Sequence, residues 1–432
     1  MTFSRSTQNG HVSVRYIPLS YNHADSQASA LRLVLALRPE WEHAEGKIEF
    51  VRFTDGITNT TTKLLKIIRR APGMTDEEID NESVLMRAYG NHTEVLIDRE
   101  KEVRSHALLA SKGLAPPLLA RFRNGLLYRF IRGQVASPHD LTQPRIWRGI
   151  ARRLAQWHAV LPISDNATNP AMSVPLNGHA YPLDFVGEDK KSSAEVKDDI
   201  IPVRTQGQEG PTLWTVLQKW ILALPCGTDK ERKRRKQLQK EFERIVAELD
   251  DRSGLGHNGL VFAHCDLLCA NVVMQPKSVI SNAPEEDSVE TVSFIDYEYA
   301  TPSPAAFDIA NHFAEWGGYD CDYNMMPTRA VRRGFLTEYV QSYSKYADLG
   351  NSQEEAVEKL FQDVDRFRGI PGFYWGVWAL IQATISQIDF DYATYAEERL
   401  GEYWAWRREV NGARAKSGEE MPLRERRWAQ EV

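Results

Sequence analysis

Two short apolar runs, each leading into an acidic loop, constrain this chain more than any other feature. Val261–Asn271 reads VFAHCDLLCAN and carries His264, Asp266 and Asn271. Thr291–Tyr299 reads TVSFIDYEY and ends its apolar run at Asp296. Between the two acids, Val272–Met274 is β-like, Gln275–Glu290 is polar, and Val292–Ile295 is β-like again. Loop, strand, turn, strand and acid is the layout of a hairpin that carries both acidic loops to one edge. One amide oxygen and two carboxylates at one edge form a hard-oxygen donor set of the kind Mg²⁺ prefers.

That order of parts fits phosphoryl transfer of the protein-kinase type. A carboxylate accepts the hydroxyl proton, an amide oxygen and a second carboxylate hold magnesium, and metal ions bridge the nucleotide phosphates. Asp266 is the expected base, with Asn271 and Asp296 as expected metal ligands. ATP and Mg²⁺ are the expected cofactors. The competing reading is a surface Asp and a loop-capping Asn in an ordinary α/β protein, and the full constellation argues against it. His264 is expected to be structural, a buried imidazole holding the loop.

Upstream, the hydrophobic period is two. Ile48–Phe53, Lys63–Ile68 and Ser83–Tyr89 read as strands, with Thr54-Asp55-Gly56-Ile57-Thr58-Asn59 as a turn between the first two. Small residues there would let backbone N–H groups approach phosphates, with Thr58 and Asn59 adding polar contacts. Ala71–Asn81 is polar and reads as a loop. Arg87 ends a strand, and Ile97–Gly113 reads as a helix bearing Glu102. A strand cation paired with a helix Glu orients nucleotide phosphates in kinases, so Arg87 with Glu102 is the candidate pair. Leu118–Phe122 and Leu126–Ile131 form a hairpin across Asn124-Gly125, running into Gly133 as the hinge between lobes.

The remainder is mainly helical: Gln27–Arg38 upstream, then Pro144–Val160, Thr212–Leu224, Asp229–Asp251, Arg329–Tyr346, Gln353–Phe367 and Phe373–Ile388. Ala306–Trp316 reads as a buried helix whose Asp308 holds the catalytic loop. His158 is expected to be a packed or capping residue. The expected class is therefore α+β, a two-lobed protein-kinase-like fold with a small β-rich lobe and a large helical one. The expected division is a polar tail over 1–30, a nucleotide-binding lobe over 31–132, and a catalytic lobe over 133–432 with an insertion at about 161–211.

Composition narrows the partners. A net charge of −6 argues against nucleic acid. No run approaches the length of a membrane span, and the polar start MTFSRSTQNGHVSV has no secretory h-region. Four cysteines suit a reducing compartment, so a cytoplasmic location is expected. Cys265 and Cys269 read as packing residues. The basic run Lys230–Lys236 reads as a solvated helix face, with an anionic membrane surface as the sharper alternative. The sequence is silent on oligomeric state, with a homodimer as one option.

Leu268 stands where protein kinases commonly carry Lys, Asp296 is followed by Tyr-Glu, and no A-P-E segment follows. A small-molecule acceptor is favoured over a protein. Tyr299, Glu315, Trp375, Trp378, Phe390 and Tyr395 supply aromatic faces and one acid, a set that suits a small organic cation. The segments FTDGITN, VLMRAYG, HCDLLCAN, FIDYEYA, FDIANHFAEW and WGVWALIQATISQIDFDYATYAEERL resemble the choline/ethanolamine kinase family over about Phe50–Trp406, and HCDLLCAN looks like its ethanolamine branch. The resemblance implies MgATP-dependent phosphorylation of ethanolamine, the first step of the CDP-ethanolamine route to phosphatidylethanolamine. Choline, or use of both amino alcohols, is the alternative, and an aminoglycoside-type phosphotransferase is a further one. The resemblance assigns Asp266 as base, Asn271 and Asp296 to magnesium, and Arg87 to the phosphates. It places Glu315, Tyr299, Trp375, Trp378 and Tyr395 on the amine pocket.

Overall fold

The structure, a computed structural model, describes residues 14–53, 63–89, 97–163, 211–276, 289–386 and 388–432. Alternation of apolar and polar residues builds a sheet of six strands: β1 (Tyr16–Ile17), β2 (Lys47–Arg52), β3 (Lys63–Arg70), β4 (Val84–Ala88), β5 (Leu118–Phe122) and β6 (Gly125–Arg129). Their order is β1-β5-β6-β4-β3-β2, antiparallel except for the β1–β5 pair. Leu65, Ile67, Val84, Met86, Ala120 and Leu127 face one way and pack on α1 (Ser26–Leu37) through Ala30, Leu33 and Val34. The opposite face carries Arg87 toward the rest of the chain.

Two expectations change in this region, and one pairing is new. Val14, Tyr21 and Ser29 are buried, so the tail reading of 1–30 fails from Val14 onward. β1 pairs with a strand distant in sequence, a pairing that no local pattern announces. The polar segment expected as a loop contains α2 (Asp76–Glu82), nucleated by a full capping box between Thr75 and Glu78. The next helix, α3 (Arg99–Ser111), starts where Asp98 accepts from Lys101 N–H at 3.0 Å.

Past the sheet, β7 (Gln134–Val135) joins β9 (Val272–Met274) and β10 (Val292–Phe294) in a second sheet, and β8 (Val261–Ala263) pairs with β11 (Thr301–Ser303). Gly133 connects the two regions at φ 156°. A Cβ there would lie 2.4 Å from the Met274 carbonyl oxygen, so only glycine allows this approach of the hinge to β9.

Helices fill the remainder in chain order: α4 (Pro138–Leu141), α5 (Pro144–Val160), α6 (Leu213–Ala223), α7 (Asp229–Leu249), α8 (Ala305–Ala314), α9 (Arg329–Tyr343), α10 (Gln353–Phe367), α11 (Ile370–Ile385), α12 (Tyr392–Val410), α13 (Ala413–Ser417) and α14 (Leu423–Ala429). α11 is buried on nearly every side, as its uniform apolarity requires. Among the described residues no helix is long and apolar enough to cross a membrane. The basic run lies on α7 and is only partly a free cationic face. Arg235 is buried, Arg232 pairs with Asp229, and Arg234 pairs with Glu397.

Candidate active site

β8 delivers His264–Leu268 onto the middle of α8, and α8 holds that loop through three residues at helical spacing. Asp308 accepts from the backbone N–H groups of His264 at 2.9 Å and Cys265 at 2.7 Å. Asn311 donates to the Cys265 carbonyl at 3.0 Å, and His312 Nδ1 meets the Leu267 carbonyl at 2.7 Å. The Asp308 carboxylate also accepts from His158 Nε2 at 2.9 Å, whose Nδ1 lies 2.7 Å from the Tyr339 hydroxyl. Burial alone would push the Asp308 carboxyl up, but these donors hold it below its usual value. The clamp retains Cys265 at φ 63°, a left-handed conformation that a non-glycine residue takes only when its surroundings over-determine it.

His264 links the two acidic loops. Its Nδ1 accepts from Asp266 N–H at 3.3 Å, which makes Nε2 the protonated nitrogen, donating to the Ile295 carbonyl at 3.1 Å. Burial depresses this imidazole to about 4, so it is a neutral bridge, in line with the structural role expected of it.

Asn271 donates from Nδ2 to the Asp266 carbonyl at 2.7 Å and to its Oδ2 at 3.3 Å. The Asn271 carbonyl accepts from Ile295 N–H at 3.0 Å, so Asp296 follows directly on a residue paired with Asn271. Asp296 itself sits at φ 60°, the second strained residue of the site. Burial raises Asp266 well above the usual carboxylate range, and the charges of Asp296, Glu315 and Glu298 raise it further. All three expected metal and base residues are therefore brought together.

Arg87 meets Glu102 at 3.1 Å, as its position suggested, and also Asp296 at 2.8 Å. A further pair with Glu298 was missed in the sequence, together with Arg99, which reaches Glu102 at 3.0 Å and Glu298 at 3.2 Å. Glu298 lies two residues past Asp296 in the turn after β10, and no strand or helix spacing announces its pairing with Arg87. Burial alone would lower the Arg87 guanidinium, but Asp296, Glu298 and Glu102 hold it well above its ordinary value. Thr58 and Asn59 lie outside the described residues. A cavity of about 570 Å³ at the hinge is lined by Lys66, Phe130, Gly133, Gln134 and Met274.

The aromatic set also converges. Trp378 Nε1 donates to the Tyr299 hydroxyl and Trp375 Nε1 to Asn311 Oδ1, both at 2.9 Å. The Tyr299 and Trp375 rings stand edge to face at 5.7 Å, as do Trp375 and Trp378 at 5.5 Å. Phe390 packs on Tyr395 at 5.6 Å and on Tyr392 at 4.9 Å, and Tyr392 meets Trp378 at 5.7 Å. Glu315 is buried but is not a lone acid, because Arg399 holds it at 2.7 Å. Tyr319, also missed, is partly exposed, and desolvation of its hydroxyl with the nearby charges of Asp266, Glu315 and Asp296 raises it above its ordinary value. The free cysteines Cys265 and Cys269 are buried in the loop, as expected of packing residues.

Comparison with known proteins adds an independent line. The family model described as Choline/ethanolamine kinase matches residues 50–404. An ethanolamine kinase of Mus musculus is 34% identical over 391 residues, spanning 88% of this chain and 89% of its own length. A probable ethanolamine kinase of Nematostella vectensis is 33% identical over 397 residues, spanning 91% and 97%. Among solved structures, a Plasmodium vivax ethanolamine kinase superposes with a TM-score of 0.62 at 23% identity, over 88% of this chain and 89% of that one. A choline kinase from Cryptosporidium parvum does so with a TM-score of 0.61 at 18% identity, over 89% and 97%. The fold is the two-lobed, protein-kinase-like one.

Proposed function

Because this chain belongs to the choline/ethanolamine kinase family, we propose that it transfers the γ-phosphoryl group of ATP to the hydroxyl of ethanolamine. The observation that carries this reading is the meeting of Asp266, Asn271 and Asp296 beside a cluster of aromatic side chains and the buried acid Glu315. In it the nucleotide belongs to the lobe of residues 31–132 and the amino alcohol to that of 133–432.

The residues present fit a magnesium ion. The Asn271 amide nitrogen is spent on Asp266, which leaves its oxygen for a cation, and the Asp296 side chain, met by Arg87 at its Oδ1, stays 26% exposed at the edge of the site. Arg87 and Arg99 face three carboxylates, Glu102, Asp296 and Glu298, so an acidic surplus remains for a metal to offset. Asn271 and Asp296 would hold Mg²⁺, which when bound offsets charge on the β- and γ-phosphates.

The Asp266 carboxylate accepts the hydroxyl proton as the substrate oxygen attacks the γ-phosphorus and the bond to the β–γ bridging oxygen breaks. Such general-base help is worth about 10²–10⁴ in rate. The Arg87 guanidinium, fixed by its carboxylates, orients the phosphates. The Tyr299, Trp375 and Trp378 side chains exclude water around the amine, and Glu315 balances its charge.

Choline is the second reading, favoured by the same aromatic walls, because a quaternary ammonium has no hydrogen-bond donor and needs only ring faces. A coupled assay of ATP consumption with ethanolamine, choline and an aminosugar decides among the acceptors. The expected order of kcat/KM is ethanolamine, then choline, with no turnover of the aminosugar. Preference for the aminosugar would overturn the proposal.

A further inference from the structure

The acid of the amine pocket is part of a buried chain of charges. Arg399 Nη2 donates to Glu315 Oε1 at 2.7 Å, and the two side chains are 1% and 6% exposed. Arg399 Nε lies 3.5 Å from Glu402 Oε2, and neither of these buried atoms makes a hydrogen bond. Glu402 is shared further: its Oε1 accepts from the Tyr323 hydroxyl at 3.1 Å, and Arg424 on α14 lies 3.7 Å from its Oε2. The guanidinium of Arg399 also lies 5.8 Å from the centre of the Tyr395 ring, a wall of the same pocket.

A buried carboxylate without a nearby cation takes up a proton. A protonated Glu315 would have no charge to offer an ammonium group. We propose that Arg399 is the positioning residue of the acceptor site: it keeps Glu315 ionised and fixes Oε1, so that Oε2 is presented to the substrate ammonium. The proposal rests on the amino-alcohol reading above and deepens it. Burial pushes Glu315 upward even with Arg399 in place, so removal of that cation leaves little to keep it charged. The groups that share Glu315's field are Arg399, Glu402 and Tyr395 on α12, Arg424 on α14, Asp266 and Cys269 on the catalytic loop, and Tyr319. None but Arg399 is a cation within hydrogen-bonding distance of it among the described residues.

The test is steady-state kinetics of Arg399→Met, Arg399→Lys and Glu315→Gln against pH, with thermal melts. In Arg399→Met, KM for ethanolamine should rise by at least about tenfold at neutral pH, the equivalent of one unit of pKa. KM for ATP should stay within about twofold. That raised KM should fall again as pH is raised, because alkali ionises Glu315, and Arg399→Lys should restore it. If Arg399→Met does not fold, Arg399→Lys still decides, since the shorter cation should keep KM for ethanolamine within a few-fold of the parent. In Glu315→Gln the high KM should be independent of pH, and adding Arg399→Met should raise it no further. An increase of both KM values together, insensitive to pH and not rescued by Lys, would reduce Arg399 to a structural brace and overturn the proposal. A parent enzyme that ignores ethanolamine and choline would instead overturn the functional reading beneath it.

Discussion

Two buried arginines, Arg87 and Arg399, hold the two ends of the site, and they do so differently. Arg87 reaches across the molecule: Glu102 comes from α3, whereas Asp296 and Glu298 come from the loop after β10. Arg399 works within the helical region, pairing with Glu315 and Glu402. The first cluster opens to solvent at Asp296, whose side chain is 26% exposed, whereas Arg399 and Glu315 are shut in at 1% and 6%. An open acidic edge can accept an ion from outside. A closed pair can only adjust the state of one carboxylate. On the proposed reading, the nucleotide end would receive charge and the acceptor end conserve it.

Asp266 lies in the field of both ends, since Asp296 and Glu315 each act on it. The sharpest way to separate the ends is to remove it. Asp266→Asn should lower kcat by about 10²–10⁴ while leaving ATP affinity and KM for ethanolamine within a few-fold. Stopped turnover with intact nucleotide binding, read by calorimetry, supports its place between the clusters; lost ATP affinity with normal turnover contradicts it.

Arg87→Met should cost about 3–5 kcal/mol of stability, because it leaves buried carboxylates without a cation. It should also raise KM for ATP more than KM for ethanolamine. The reverse ranking would break the assignment of the two arginines to opposite ends. Trp378→Ala should act on the other end alone, losing up to about 2 kcal/mol of cation–π attraction. That corresponds to a rise of about 30-fold in KM for the amine, with melting temperature as the control for lost packing.

The smallest effect concerns pH. Burial depresses His106, His264 and His312 to about 4, so each is neutral in the fold. Their stabilising contribution is complete above the unfolded value of about 6.5 and is lost as pH falls from there toward 4. By pH 6 the loss should be about 1 kcal/mol or less for each imidazole. Thermal melts across pH 7.5 to 4 should show a steepening decline, and a flat profile would mean the rings are not neutral.

Much of this was legible in the sequence because it is local. The run from His264 to Asn271, the turn to Asp296, and Asp308 on a helix shortly after are fixed by short spacings. So are the aromatics of α11, which lie on neighbouring turns. What escaped depends on partners far along the chain: Glu298 against Arg87, Arg399 against Glu315, and β1 against β5. One miss was avoidable. Thr75 and Glu78 form a capping box that announces α2, and the polarity of the segment hid it. α11 begins at Ile370, earlier than its apolar run suggested, because Pro371 sits in its first turn, where a missing N–H costs nothing.

The bare α-carbon of Gly133 carries a mechanical implication. Its hydrogen occupies the gap where a methyl group would press within 2.4 Å of the Met274 carbonyl oxygen and 2.6 Å of a Val273 methyl. Any side chain at that point would act as a doorstop, pushing the start of β7 away from its partner strand β9. The seam between β7 and β9 is therefore defined by an atom the chain lacks.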